Sequence, residues 1–207
     1  GGALTIDGGV TTLSASATDA GAGIDVQGLG ANGAAVDLTG NGGDLTFSTT
    51  ASQFGTLTAT GVDNVSQSAA ISVTGATDIT ATTNVSLDNV ANALTGAVSV
   101  DGAAISLSNA GALLLGDIDA TGALTVLTTA GDVTQNGDGV VVAGDTSVTA
   151  GGVVTLTDTD NDFADTGYGA TPSFIGGGAV SVHDLDTSAA DPSTAAGDVP
   201  ATARDRG

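Results

Sequence analysis

The sequence predicts an all-β fold: a parallel β-solenoid of about eight coils, each taking ~20–25 residues. Three observations predict it. The composition is that of strands and turns, short apolar–polar–apolar triplets recur along the chain, and long stretches repeat at a nearly constant offset.

Composition comes first. Glu, Lys, Cys and Met are absent from the 207 residues, and Gly occurs 33 times. Val, Ile, Thr and Ser suit pleated surfaces, while Gly, Asn and Asp suit corners. Aromatics make up only 2%, yet 41% of the chain is hydrophobic and mean hydropathy is +0.30. A disordered chain, too polar to bury a core, has the opposite balance. No run approaches the ~18 apolar residues of a membrane helix. The sequence opens on Gly1 with no basic and apolar leader pattern, so a signal sequence is expected to lie outside this stretch or to have been removed.

The charge is strongly negative, at −21. Every acid is Asp, and the two cations, Arg204 and Arg206, stand at the C-terminal end. Such a surface repels phosphate backbones and anionic lipid heads, so nucleic acid is excluded as a partner and membrane insertion is not expected. The carboxylates have no cationic side chains to pair with and call for water, salt or divalent cations. A saline, extracellular setting is expected, and a secreted chain without Cys must rely on burial and backbone hydrogen bonds.

The triplets mark the strands. They begin with Leu4–Ile6, Ile24–Val26, Val36–Leu38, Leu45–Phe47 and Leu57–Ala59. Further along stand Val85–Leu87, Val98–Val100, Ile105–Leu107, Leu124–Val126, Val154–Leu156 and Val180–Val182. Apolar ends with a polar centre are the period of a half-buried strand.

The repetition sets the architecture. Val73–Ala81 matches Val142–Ala150 at an offset of 69 residues. The same offset carries Val85–Leu87 to Val154–Leu156 and Asn92 to Asn161, and Val65-Ser66-Gln67 meets Val133-Thr134-Gln135 at 68. Residues 1–182 therefore read as solenoid repeats, roughly two copies of a unit of about 69 residues plus a partial one, each unit about three coils. Ala97–Val100 matches Ala179–Val182 at 82, which places a loop grown out of one coil at 164–176. Residues 183–207, rich in Asp, Ala, Ser and Pro, read as a tail or linker.

From Gly122 to Asp165 the residues resemble a known family. The run Gly122–Val126, Gly131–Gln135, Val142–Gly152, Val154–Leu156 and Asn161-Asp162-Phe163 resembles the central repeats of filamentous-haemagglutinin-like exoproteins, the large adhesins of two-partner secretion. Leu57 to Val100 resembles them too, with Asn92-Ala93-Leu94 in place of Asn-Asp-Phe. The resemblance implies a right-handed parallel β-helix, secretion to the cell surface, and a part in adhesion or extracellular fibres. The Asn-Pro-Asn-Gly type of secretion motif and an Arg-Gly-Asp motif are both missing, so the stretch corresponds to repeat rather than export module. Expected partners are further copies of the chain, end to end or side by side, or glycans and proteins on a host or neighbouring cell.

Few residues carry candidate chemistry. Asp158, Asp160 and Asp162 alternate in one short segment, Asp165 follows three residues on, and the four offer hard oxygen ligands for calcium. Phe163 and Gly169 stand where an EF-hand needs Gly and Glu, so the ordinary reading is a solvated turn. Gly40–Phe47 holds one Gly-rich stretch, which a calcium β-roll would have to repeat. Asp165-Thr166-Gly167 is a single copy of a triplet that aspartic proteases need twice. His183 is the lone histidine and has no Gly-x-Ser-x-Gly partner motif. The Thr-x-Thr runs at Thr56–Thr60 and Thr155–Thr159 resemble ice-binding ranks but recur irregularly. The chain is expected to be no enzyme and to need no cofactor, calcium excepted. The expected function is that of a structural, adhesive rod. A ligand-binding solenoid for calcium, carbohydrate or ice is the alternative, and a carbohydrate-active β-helix enzyme the second alternative.

Overall fold

A computed structural model describes residues 12–30, 33–136, 138–163, 172–183 and 204–205. The first strands are β1 (Thr12–Ser16), β2 (Ile24–Val26), β3 (Ala35–Thr39), β4 (Leu45–Phe47), β5 (Ser52–Phe54), β6 (Thr56–Val62), β7 (Val65–Gln67) and β8 (Ile71–Val73). There follow β9 (Thr77–Ala81), β10 (Val85–Leu87), β11 (Ala93–Leu94), β12 (Ala97–Gly102), β13 (Ile105–Asn109), β14 (Leu113–Ala120), β15 (Leu124–Thr128) and β16 (Val133–Gln135). The last are β17 (Val140–Val142), β18 (Thr146–Ala150), β19 (Val154–Leu156), β20 (Asp162–Phe163), β21 (Ser173–Gly176), β22 (Val180–Val182) and β23 (Arg204–Asp205). The described residues contain no helix.

The strands wind into a parallel β-solenoid of about seven turns. Sheet 1 runs β1-β3-β6-β9-β12-β14-β16-β19-β22, with β17 and β20 beside that path. Sheet 2 runs β2-β4-β7-β10-β13-β15-β18-β21-β23, and sheet 3 is the short ladder β11-β8-β5. The chain visits sheets 1 and 2 in turn, so each strand pairs with its counterpart one coil away. In sheet 2, Leu45, Val65, Val85 and Ile105 follow one another in register. The hydrogen bonds just before them, from Asn64 to Asp44, Asn84 to Asn64 and Ala104 to Asn84, span the same step of 20 residues.

The triplets produce this because both apolar ends of each point inward. Val85 and Leu87 are buried around half-buried Ser86, and Val154 and Leu156 around Thr155. One continuous core results, stacked from Val, Leu, Ile and Ala. The four phenylalanines pair inside it. Phe47 and Phe54 lie 6.0 Å apart, and Phe163 meets Phe174 edge-on at 5.1 Å, the offset geometries that aromatic rings favour.

Tight corners set where glycine is needed. A Cβ on Gly75 would come 2.8 Å from the Gly55 carbonyl oxygen, and one on Gly96 would run into that of Gly75. Gly55, Gly75 and Gly96 therefore form a column in which successive backbones touch.

Two segments differ from expectation. Ser173–Gly176, placed in the inserted loop by the sequence, forms β21 against β18. Phe174 and Gly176 are buried there, so inward-facing bulk and a close backbone contact make strand of it. The rest of that loop, 164–171, lies outside the described residues, as do Leu4–Ile6 and residues 184–203 of the tail. Within the tail, Arg204–Asp205 pairs with Ile175–Gly176 as one further rung of sheet 2.

Candidate functional site

The polar centre of each family-like segment is a pair of side-chain amides. Gln67 closes β7 and Asn92 precedes β11. Gln67 Nε2 donates to Asn92 Oδ1 at 2.9 Å, and Asn92 Nδ2 donates back to Gln67 Oε1 at 2.9 Å. Asn92 is wholly buried. Its Oδ1 also accepts the Ile71 amide at 2.9 Å, and its Nδ2 donates to the carbonyls of Leu87 and Ser108. Gln135 and Asn161 repeat the arrangement. Gln135 Nε2 donates to Asn161 Oδ1 at 2.6 Å, Asn161 Nδ2 donates back at 3.1 Å, and the Val140 amide takes the place of Ile71 at 2.9 Å. Burying a carboxamide is tolerable only when its donors and acceptors are satisfied, and each pair largely satisfies itself.

The second pair anchors the acidic turn. The Asp158 amide donates to Gln135 Oε1 at 3.4 Å, and Asp158 Oδ1 accepts the Asp160 amide at 2.9 Å. Asp162 opens β20, half-buried, opposite Val141. Asp160 is exposed. The structure thus brings Asp158, Asp160 and Asp162 into one turn, with the Asp158 carboxylate engaged in closing it. Asp165 lies outside the described residues. Among the described residues, no group of three or more acidic, His or Cys side chains is placed to hold a metal ion.

The other motifs fall into structural places. Gly40–Phe47 turns into β4, and Asp44 Oδ1 accepts from the Asn64 backbone and side-chain amides at 3.2 and 2.9 Å. Asp165-Thr166-Gly167 is outside the described residues. His183 extends the ladder beyond β22, its amide donating to Leu156 at 2.7 Å, while its Nδ1 is buried without a partner.

Two features of the outer surface become visible only in register. On sheet 2, Thr46, Ser66, Ser86 and Ser106 stand at one register position in successive strands, and Thr125, Ser147 and Ser173 continue the line. Hydroxyls on neighbouring strands recur every ~4.8 Å, and those of Thr46 and Ser66 are 3.4 Å apart. The flanking row changes from Asp44, Asn64 and Asn84 to Ala104 and Ala123, so the line is a single rank.

On sheet 1, Asp101 lies opposite Asp119 in adjacent strands. Asp117 sits between them and Val98, where the register between β12 and β14 slips, and its amide donates to Ser99 Oγ at 3.2 Å. Partial desolvation raises the Asp117 carboxyl above its ordinary range, and the charges of Asp101, Asp138, Asp119 and Asp78 add to it. Sequence reading missed this acidic face. Asp101 and Asp119 are not neighbours in any motif. Only a coil shorter there than the one from Val85 to Ile105 aligns them, and no residue pattern reports that shortening.

A family model described as repeats of unknown function (DUF5649) matches residues 33–101 and again 102–167. No curated protein and no solved structure matches the chain.

Proposed function

The chain belongs to the DUF5649 repeat family, and from that premise we propose that it is a structural and adhesive segment of a secreted bacterial surface protein, a rod rather than an enzyme. The observation that carries this reading is the continuity of the two long sheets, which pass from the first family match into the second without a break. A rod held by backbone hydrogen bonds along its axis resists tension and keeps its surface displayed. The resemblance to filamentous-haemagglutinin-like exoproteins points the same way. So does the charge of −21, which suits a solvated exterior and disfavours nucleic acid. Its partners in this reading are copies of itself, or glycans and proteins on another cell.

Negative-stain electron microscopy in calcium and in chelator, together with adhesion of chain-coated beads to cells, tests the proposal. Rods or filaments and bead retention above uncoated controls are expected. Compact particles with no retention would overturn it. Filaments that dissolve in chelator would assign calcium the role of bridging the acidic surfaces.

One observation favours a second reading, a ligand-binding solenoid for carbohydrate or ice: the hydroxyl rank from Thr46 to Ser173 on sheet 2. In that reading, Ser86→Lys with Ser106→Lys abolishes glycan retention or thermal hysteresis without unfolding the chain. Absence of both activities in the unaltered chain removes it.

A further inference from the structure

The repeat does not preserve the sheet. Thr77, Ile79 and Ala81 are the buried positions of β9 in sheet 1, and their matches Thr146, Val148 and Ala150 are the buried positions of β18 in sheet 2. Val85–Leu87 lies in sheet 2, and its match Val154–Leu156 in sheet 1. Gln67 ends a strand of sheet 2, and Gln135 one of sheet 1.

The local environment nevertheless travels with the sequence. Leu57 pairs with Thr77 as Leu124 pairs with Thr146. Leu45 pairs with Val65 as Leu113 pairs with Val133. Ser52 pairs with Ile71 as Ile118 pairs with Val140. The amide pairs Gln67–Asn92 and Gln135–Asn161 each hold the next backbone amide in the same way. Even a flaw is copied: the hydroxyls of Thr77 and Thr146 are both buried without a partner.

The length of the coil accounts for this. The family matches begin at 33 and at 102, the same offset of 69 residues that carries Val73–Ala81 to Val142–Ala150. One coil of sheet 2 takes 20 residues, the span of the hydrogen bonds from Asn84 to Asn64 and from Ala104 to Asn84. The repeat is therefore about three and a half coils, not the three expected from sequence. We infer that each repeat advances the solenoid by a half-integer number of turns, so that successive repeats turn equivalent surfaces to opposite sides of the rod. The full structural period is two repeats. The short strands show the exchange directly. In the first repeat β5, β8 and β11 follow strands of sheet 2, and in the second β17 and β20 follow strands of sheet 1. A repeat of whole turns would line up every surface feature along one side. This one makes the rod two-sided, whatever it binds, and removing a single repeat from an array would swing everything beyond it to the other face.

The chain has no Cys, so paired spin labels test this without background. Ser66→Cys with Ser147→Cys puts both labels on sheet 2, four strand steps or ~19 Å apart along the axis. Ser66→Cys with Thr134→Cys joins equivalent positions of the two repeats. Half-integer advance places these ~17 Å apart along the axis and on opposite faces, adding the ~10 Å between facing sheets. Labels reaching outward from opposite faces widen the separation further. The second pair is thus expected to give the longer distance. A shorter distance for it, near the ~14 Å of three whole coils, would overturn the inference. Ser86→Cys with Thr155→Cys, against Ser86→Cys with Ser173→Cys, repeats the comparison one coil on, should the first pair disturb folding. Neither outcome depends on adhesion, so failure of the proposed function leaves this result standing.

Discussion

The side chain of Asn109 hydrogen-bonds to both backbone groups of Leu94. Its Oδ1 accepts the Leu94 amide at 2.8 Å and its Nδ2 donates to the Leu94 carbonyl at 3.1 Å. Leu94 ends β11, the last strand of sheet 3. The next coil supplies no strand there, and a buried carboxamide takes its place. A bare sheet edge inside the body would leave backbone polar groups unpaired.

Asn109→Ala is therefore expected to destabilise the chain by about 2–3 kcal/mol, the penalty for stranding two buried backbone groups. Hydrogen exchange locates the effect: the Leu94 amide loses protection more than that of Val73, which stays within the ladder. Equal loss at both would indicate general loosening instead.

The Gln135–Asn161 pair predicts strong coupling. Asn161→Leu alone takes one partner from each atom of the Gln135 amide and leaves the Val140 N–H without its acceptor, and costs about 2–4 kcal/mol. With both residues changed to Leu, no side-chain amide is left unpaired, and the losses are confined to backbone groups: the amides of Val140 and Asp158 and the carbonyl of Asp138. The double variant is thus expected to lose less than the sum of the singles, by about 1 kcal/mol or more. Urea denaturation of the four proteins checks this, and additive losses would contradict it.

Asp117 predicts a pH-dependent gain. Its carboxyl is raised in the folded chain by partial desolvation and by Asp101, Asp138, Asp119 and Asp78. An acid raised on folding costs stability: the cost is absent below its unfolded value, grows as pH rises from there to the folded one, and is fully present above it. Asp117→Asn is expected to raise Tm at neutral pH, with the gain fading below the ordinary aspartate range. Added salt shrinks the gain by screening. Thermal melts across pH and salt measure it; a gain unchanged at low pH would rule out charge as its cause.

Thr49 predicts a gain of a different kind. It adopts φ 71° in the turn between β4 and β5, a left-handed conformation that a β-branched residue disfavours. Thr49→Gly removes strain of about 1–2 kcal/mol, partly offset by the greater freedom of glycine when unfolded. A net gain of a few tenths to about 1 kcal/mol in denaturant titrations is expected, and destabilisation would show that contacts of the Thr49 side chain outweigh the strain.

Much of this fold is legible in the residues themselves. The polar centres of Val85-Ser86-Leu87 and Val154-Thr155-Leu156 announce strands with one wet face, because side chains alternate along a strand whatever its neighbours do. The match of Val73–Ala81 to Val142–Ala150 announces a solenoid. The acidic turn at Asp158–Asp162 is visible as a cluster, but its tie to Gln135 is not. That hydrogen bond spans one coil, and no local pattern reports it.

The sequence by itself determined which residues face inward, because that follows from period-two alternation and the cost of burying polar groups. It also determined that equivalent segments recur 69 residues apart. The tertiary structure alone decided which strand lies beside which. That depends on the length of a coil, set by corners as tight as the Gly55–Gly75–Gly96 column and as loose as the slip at Asp117. Because the coil does not divide the repeat evenly, neighbours in space are not neighbours in the repeat. Asp101 meets Asp119, Asn109 closes on Leu94, and the second repeat shows its matching face to the other side.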